Sequence, residues 1–95
     1  MYIVTVCNTT DGIVEVSPLL KNMACAVGWV LGNSEAVCAE MRGNGLLCVE
    51  TSRNLSADTR FCLHKHRSIT FGKGADAKEI QWDVHEVDEE EGREP

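Results

Sequence analysis

The chain of 95 residues has few of the features that identify a secreted or membrane-spanning protein. No basic segment precedes a long apolar run at its start, and the longest nearly apolar stretch, residues 23–31, is far shorter than a membrane span. These absences predict a soluble, cytoplasmic protein without membrane contacts.

The cysteines do not form a disulfide pattern. Their number is odd, no two stand in a C-x-x-C pair, and each has apolar neighbours, so we expect reduced thiols that pack as small apolar side chains. No thiol or hydroxyl stands in a nucleophile motif, and the segment "FGKGADAK" lacks the spacing of a phosphate-binding loop. The sequence therefore predicts no catalytic residue, no cofactor and no enzymatic activity. The five cysteines are Cys7, Cys25, Cys38, Cys48 and Cys62.

The charge is distributed unevenly along the chain. The hydrophobic fraction of 43% and the charged fraction of 25% are those of an ordinary folded protein, and the length suits one domain. The net charge is −6, but residues 79–95 hold eight acids and one base, whereas residues 1–78 are almost neutral. We therefore expect a single α+β domain over residues 1–87 and an acidic C-terminal tail over residues 88–95.

The first half predicts a β-hairpin followed by a helix. Residues 2–6 and 13–16 are rich in β-branched side chains and flank the turn-forming "NTTDG". Ser17 can cap a helix that begins with Pro18, and Gly32 with Asn33 can end it, so a helix is predicted over residues 18–31. Its apolar stripe should face the sheet.

The second half predicts mainly strands. Residues 34–42 fit either a second short helix ending at Gly43 or one arm of a hairpin with residues 46–51. We favour the hairpin because Gly45 can supply the positive φ that its turn needs. Residues 60–71 and 79–87 read as two further strands, joined by "GKGADAK". The expected fold is α+β: an antiparallel sheet of about five or six strands with one helix packed on one face.

The segment "FCLHKHRS" raises the question of a metal site. Cys62, His64 and His66 alternate, so a strand would place them on one face, and His85 on the last strand could join them. Three such residues span roughly 13 Å at about 3.3 Å per residue, too far for one ion without a bend. A polar strand face is the favoured interpretation. The alternative is a metal-binding or thiol-dependent protein that uses this strand, with His64, His66 and His85 as ligands.

Two features point to a protein partner. Trp29 lies off the helix stripe, where it either packs against a loop or presents an apolar plate to a partner. The acids of the last strand and the tail either keep the chain soluble or form a negative strip for a basic surface. The acidic residues of this strip are Asp83, Glu86, Asp88, Glu89, Glu90 and Glu91.

The same acidic balance disfavours direct binding to nucleic acid. The exception would be the small basic set Arg60, Lys65, Arg67 and Lys73, which either forms a local patch or balances nearby acids. In general profile the chain looks like the small acidic proteins that phages and mobile elements use to block host machinery, a likeness of size and charge that covers no motif. We therefore expect a non-catalytic protein-binding module, an inhibitor of a nucleic-acid-handling complex; a homodimer is a further alternative.

Overall fold

A computed structural model describes residues 1–9, 11–55 and 65–87. Within them, one long helix packs on one face of a five-stranded antiparallel sheet with the strand order β2-β1-β5-β4-β3. A short 3-10 turn, Gly74–Asp76, lies between the last two strands. The predicted α+β class is confirmed. The elements are β1 (Tyr2–Asn8), β2 (Gly12–Val16), α1 (Met23–Gly43), β3 (Cys48–Asn54), β4 (Lys65–Phe71) and β5 (Lys78–Glu86).

The two ends of the described chain meet at the centre of the sheet. β1 pairs with β5 from Tyr2, opposite Glu86, to Asn8, opposite Ile80. Trp82 is fully buried under the helix, and its indole N–H donates to the Asn33 side chain over 2.8 Å. The core therefore lies between the helix and this face of the sheet. Its buried members are Val4, Val6, Val30, Cys38, Ile69, Phe71, Ile80 and Trp82.

The helix begins later than the sequence predicts. Asn22 is its N-cap, and the Asn22 side chain accepts a 2.8 Å hydrogen bond from the backbone N–H of Cys25. The predicted start at Pro18 is wrong because Ser17 has another role: its buried hydroxyl accepts a 2.8 Å hydrogen bond from the Val4 N–H. Residues 17–20 thus continue along β1, where Leu20 exchanges two backbone hydrogen bonds with Tyr2.

The helix also continues through residues 34–42, so the predicted hairpin over this segment is wrong. The buried positions of the helix recur every three or four residues, which is the helical period, and the last two, Ser34 and Cys38, extend the stripe beyond the expected stop at Gly32. Val37 and Met41 belong to the alternating apolar positions that suggested a strand. On the helix they lie four residues apart on one side, and both pack against the core. Tertiary burial therefore outweighs the local stop signal.

Gly45 adopts the positive φ that was predicted, but at a helix end. Its φ is 82°, its N–H donates to the Arg42 carbonyl over 2.9 Å, and the Leu46 N–H donates to the Met41 carbonyl over 2.9 Å. This pair of bonds is a Schellman motif, which typically brings the residue after the glycine close to the last helical turn. The prediction for Gly45 was therefore correct for its backbone conformation and wrong for its location, which is a helix end and not a hairpin turn.

The remaining strands match their predictions more closely. β5 lies within one residue of the predicted 79–87, and "GKGADAK" connects β4 to β5 as expected. β3 pairs with β4 instead of with residues 34–42. Residues 60–64 of the predicted strand 60–71 lie outside the described residues. No helix in the described part of the chain combines the length and apolar character needed to cross a bilayer.

Candidate functional site

The outer face of the sheet, away from the helix, carries a cluster of polar side chains. β5 alternates, so that Trp82 faces the helix while Asp83 and His85 lie on the outer face. Asp83 lies directly opposite Thr5 on β1 and directly opposite His66 on β4. The His85 Nε2 and the Thr5 hydroxyl form a 2.9 Å hydrogen bond. This arrangement is a hydrogen-bonded polar surface on the sheet.

The residues of the alternative metal site are only partly described. His66 lies opposite Asp83 and His85 lies opposite Ile3, so the two imidazoles share the outer face at different levels of the sheet. His64 and Cys62 lie outside the described residues. In ranges 1–9, 11–55 and 65–87, no group of three or more His, Cys, Asp and Glu side chains is arranged to hold a metal ion. The metal site stays a prediction that depends on residues 62 and 64.

The predicted partner-binding residues do not share one surface. Trp29 is half-buried and packs against the core on the helix side of the sheet, whereas Asp83 lies on the outer face. Glu86 is exposed at the end of β5, three residues beyond Asp83 and therefore on the opposite side by strand alternation. The structure does not bring these three residues together. The tail residues Asp88, Glu89, Glu90 and Glu91 lie outside the described residues.

An exposed apolar strip lies along β2, one of the two edge strands of the sheet, and the sequence analysis did not identify it. Among the described residues, β2 pairs only with β1, so its other side is a sheet edge in this part of the chain. The exposed fractions are 64% for Ile13, 53% for Val14, 52% for Val16 and 57% for Leu19. We call residues 11–20 the β2 edge. The signal was available, because "IVEV" has three apolar residues in four and does not alternate as a half-buried strand should.

The charge of the β2 edge is acidic. Asp11 and Glu15 are its charged side chains, and the first lysine or arginine of the chain is Lys21. Glu15 is held toward the helix, where its carboxylate accepts a 3.0 Å hydrogen bond from the Asn33 side chain. Exposed edge strands are usually protected from pairing by lysine, proline or a bulge. The β2 edge carries no lysine between Asp11 and Leu20, but Pro18 follows the strand and a bulge interrupts its pairing with β1 opposite Val6 and Cys7. Its exposed apolar side chains, and not a long regular backbone, are therefore the main feature of this edge.

Arg67 occupies the helix side of the sheet, where it is buried. Its guanidinium forms ion pairs with Glu50 on β3 and with Glu35 on the helix, the latter over 3.1 Å, and it donates to the Ser34 hydroxyl. Arg67 is therefore no part of a basic patch; it balances nearby acids, the second of the two alternatives. Its network joins the helix to an edge strand of the sheet.

The described cysteines are free thiols in mixed environments. Cys25 is exposed, Cys38 is buried, and Cys7 and Cys48 are intermediate. Burial raises the pKa of the Cys38 thiol, and the neighbouring Cys48 raises it further. A raised pKa disfavours the thiolate, which is the nucleophilic form. Cys38 therefore has the properties of a packing residue, as its apolar sequence context indicates.

Comparisons with known proteins place the chain in no established family. No protein-family model, no curated protein and no solved structure matches it. Any functional interpretation therefore depends on the surfaces described above.

Proposed function

We propose that this protein is a non-catalytic protein-binding module that contacts its partner through the β2 edge. The observation that carries this proposal is the set of exposed apolar side chains on and just after the edge strand β2, namely Ile13, Val14, Val16 and Leu19. Contiguous exposed apolar residues on a small domain commonly mark a protein interaction site. The free side of β2 adds a second, smaller source of affinity, because its backbone groups can bond to an added strand over the short length that the bulge leaves regular.

The charge of the chain favours a partner with a basic surface. The β2 edge carries Asp11 and Glu15 and no base before Lys21, and the whole chain has a net charge of −6. Such a charge accelerates encounter with a basic surface, and this electrostatic attraction weakens as salt is added. A partner strand that places lysine or arginine beside its apolar residues would fit this edge best.

A narrower proposal concerns the identity of that partner. Proteins that handle nucleic acid expose basic surfaces for phosphates, and rows of carboxylates can occupy such surfaces. Either Asp83 or Glu86, which lie on opposite sides of the sheet, would act with the tail acids as an additional contact, so the protein would inhibit its partner by covering a nucleic-acid site. Because Trp29 and Asp83 lie on opposite sides of the sheet, one flat partner surface would contact only one of them.

The test is quantitative capture from a lysate of the native host cells, with the captured protein then purified and titrated directly. The variant is Val14→Lys with Val16→Lys, which places charge on two exposed positions of the edge and so disfavours strand addition. Leu47→Lys with Val49→Lys is the matched control, since it adds the same charge at two exposed positions, 55% and 48% exposed, at the opposite edge of the sheet. We expect the β2-edge variant to lose at least tenfold in affinity and the control to bind as the unmodified chain does.

The same experiment separates the alternatives. A partner that binds all three proteins equally would rule out the β2 edge as its contact. A version ending at Val87 tests the tail: if it binds as tightly as the full chain at low salt, the acids beyond residue 87 make no contribution. Light scattering that detects a dimer, lost in the β2-edge variant, would identify the partner as a second copy of this chain.

A further inference from the structure

A cavity of about 300 Å³ opens on the helix side of the sheet, at the end where α1 stops. It lies away from the β2 edge, since none of the described residues that line it belongs to that segment. These lining residues are Asn8, Met41, Leu46, Phe71, Lys78 and Ile80.

The cavity walls are formed by hydrogen-bonded structure at the end of the helix and in the sheet. The Schellman motif at Gly45 fixes Leu46 beside the last helical turn, which carries Met41. The opposite wall is formed by Phe71 and Ile80 of the sheet, which are only 3% and 7% exposed and belong to the buried core. The cavity therefore reaches from the surface to the core and is preformed by the fold.

The lining chemistry is apolar with one cation. Met41, Leu46, Phe71 and Ile80 are apolar, and Lys78, which is exposed, is the only charged side chain among the described lining residues. Small-molecule sites typically combine apolar walls with a few polar groups that fix the orientation of the ligand. An apolar cavity with one exposed lysine among its lining residues fits a molecule with an apolar body and a single anionic head.

The volume limits the size of that molecule. At about 300 Å³ the cavity lies at the lower end of the roughly 300–1,000 Å³ that small-molecule pockets occupy, which limits the ligand to a small molecule. An unbranched chain of about eight carbons with a carboxylate meets this limit. A dianion or a larger acidic molecule would meet a chain whose net charge is already −6.

We propose that this cavity is a binding site for an amphipathic monoanion of about eight carbons, with its apolar body inside the cavity and its carboxylate at Lys78. The site is independent of the β2 edge, so the protein-binding proposal can fail while this one stands.

The test is a titration of the full ¹⁵N-labelled chain with octanoate and, separately, with 1-octanol. Binding is measured from the changes in the amide chemical shifts. We expect octanoate to produce saturable shifts centred on Leu46, Phe71 and Ile80, and 1-octanol to bind more weakly at the same residues. Lys78→Gln should weaken octanoate binding about fivefold, the effect of an exposed ion pair, and leave 1-octanol unchanged. Leu46→Ala should weaken both ligands, because it removes part of the apolar wall.

Lys73→Gln is the matched control, because it removes the same charge as Lys78→Gln. Lys73 is exposed in the β4–β5 connection and is not among the described residues that line the cavity. If Lys73→Gln weakens octanoate as much as Lys78→Gln does, the effect is one of net charge and the proposed role of Lys78 is wrong. Shifts centred on Ile13, Val14 and Val16, or the absence of saturable shifts, would overturn the site itself. Lys78 and Leu46 are both exposed, and circular dichroism of each variant verifies that it is folded.

Discussion

Arg67 shows how a single side chain can determine the packing of the helix on the sheet. The guanidinium is buried, yet Glu50 and Glu35, its two acidic partners, keep 33% and 60% of their side-chain surface exposed. The network therefore has one desolvated charge and two partly hydrated ones. Removing only the cation leaves the two acids without this partner. Replacing the cation and one acid together by apolar groups also removes the buried charge whose desolvation is unfavourable.

We therefore expect Arg67→Ala to lower the free energy of unfolding by about 2–3 kcal/mol, below the upper range for a fully buried pair because the acids are partly hydrated. The double change Arg67→Met with Glu50→Leu should recover at least half of that loss. Urea denaturation measures both, with Arg42→Ala, an exposed arginine in the last helical turn, as the control. A loss as small as that of the control would show that the network contributes nothing to stability.

At the scale of elements, the two glycines that flank the second half of the helix have opposite roles. Gly32 lies inside α1, and a methyl group added there meets no atom within 4 Å. Gly45 has equal space but a φ of 82°, which side chains other than glycine rarely adopt. Space is therefore the same at both positions, and only the backbone conformation differs.

Accordingly, Gly32→Ala should stabilise the protein by about 0.5–1 kcal/mol, because alanine restricts the unfolded chain and favours helix. Gly45→Ala should destabilise it by about 1 kcal/mol, because the Schellman motif requires the left-handed conformation. Thermal unfolding of the two variants, which have the same composition, measures the difference. Equal effects would contradict a helix that runs through residue 32 and ends at Gly43.

The elements also show which parts of the fold can be predicted from the sequence. The strands β1, β2 and β5 follow from local composition and turn residues, and so does the positive φ of Gly45. The helix end does not, because Gly32 and Asn33 give a local stop signal that burial of Ser34 and Cys38 overrides. The pairing of β3 with β4 cannot be derived from local patterns at all.

The two candidate sites, the β2 edge and the cavity, could also be predicted from the sequence only in part. The three apolar residues of "IVEV" are visible in the sequence, but their exposure follows from the edge position of β2, which only the sheet order reveals. The cavity brings together residues from 8 to 80 in the chain, and no sequence pattern links them. Individual side chains were therefore accessible to sequence reasoning, while the surfaces they form were not.

For the whole molecule, the central position of β5 determines where the chain can be shortened. β5 pairs with β1 and with β4, and Val84, which lies opposite Val4, packs against the core. The Val87 N–H then donates to the Met1 carbonyl over 2.8 Å, which extends the pairing of the two chain ends by one bond. Within the described residues, the pairing that builds the centre of the sheet therefore extends to residue 87.

We therefore expect a version ending at Val87 to unfold at the same urea concentration as the full chain, within about 0.5 kcal/mol, although it loses five acids and one base. A version ending at Asp83 removes the buried contact of Val84 and the last pairs of the central ladder, and we expect it to lose several kcal/mol or fail to fold. Urea denaturation at low and high salt compares the three. If the version ending at Val87 is markedly less stable at both salt concentrations, residues 88–95 belong to the folded domain, and the predicted division into a domain and an acidic tail is wrong.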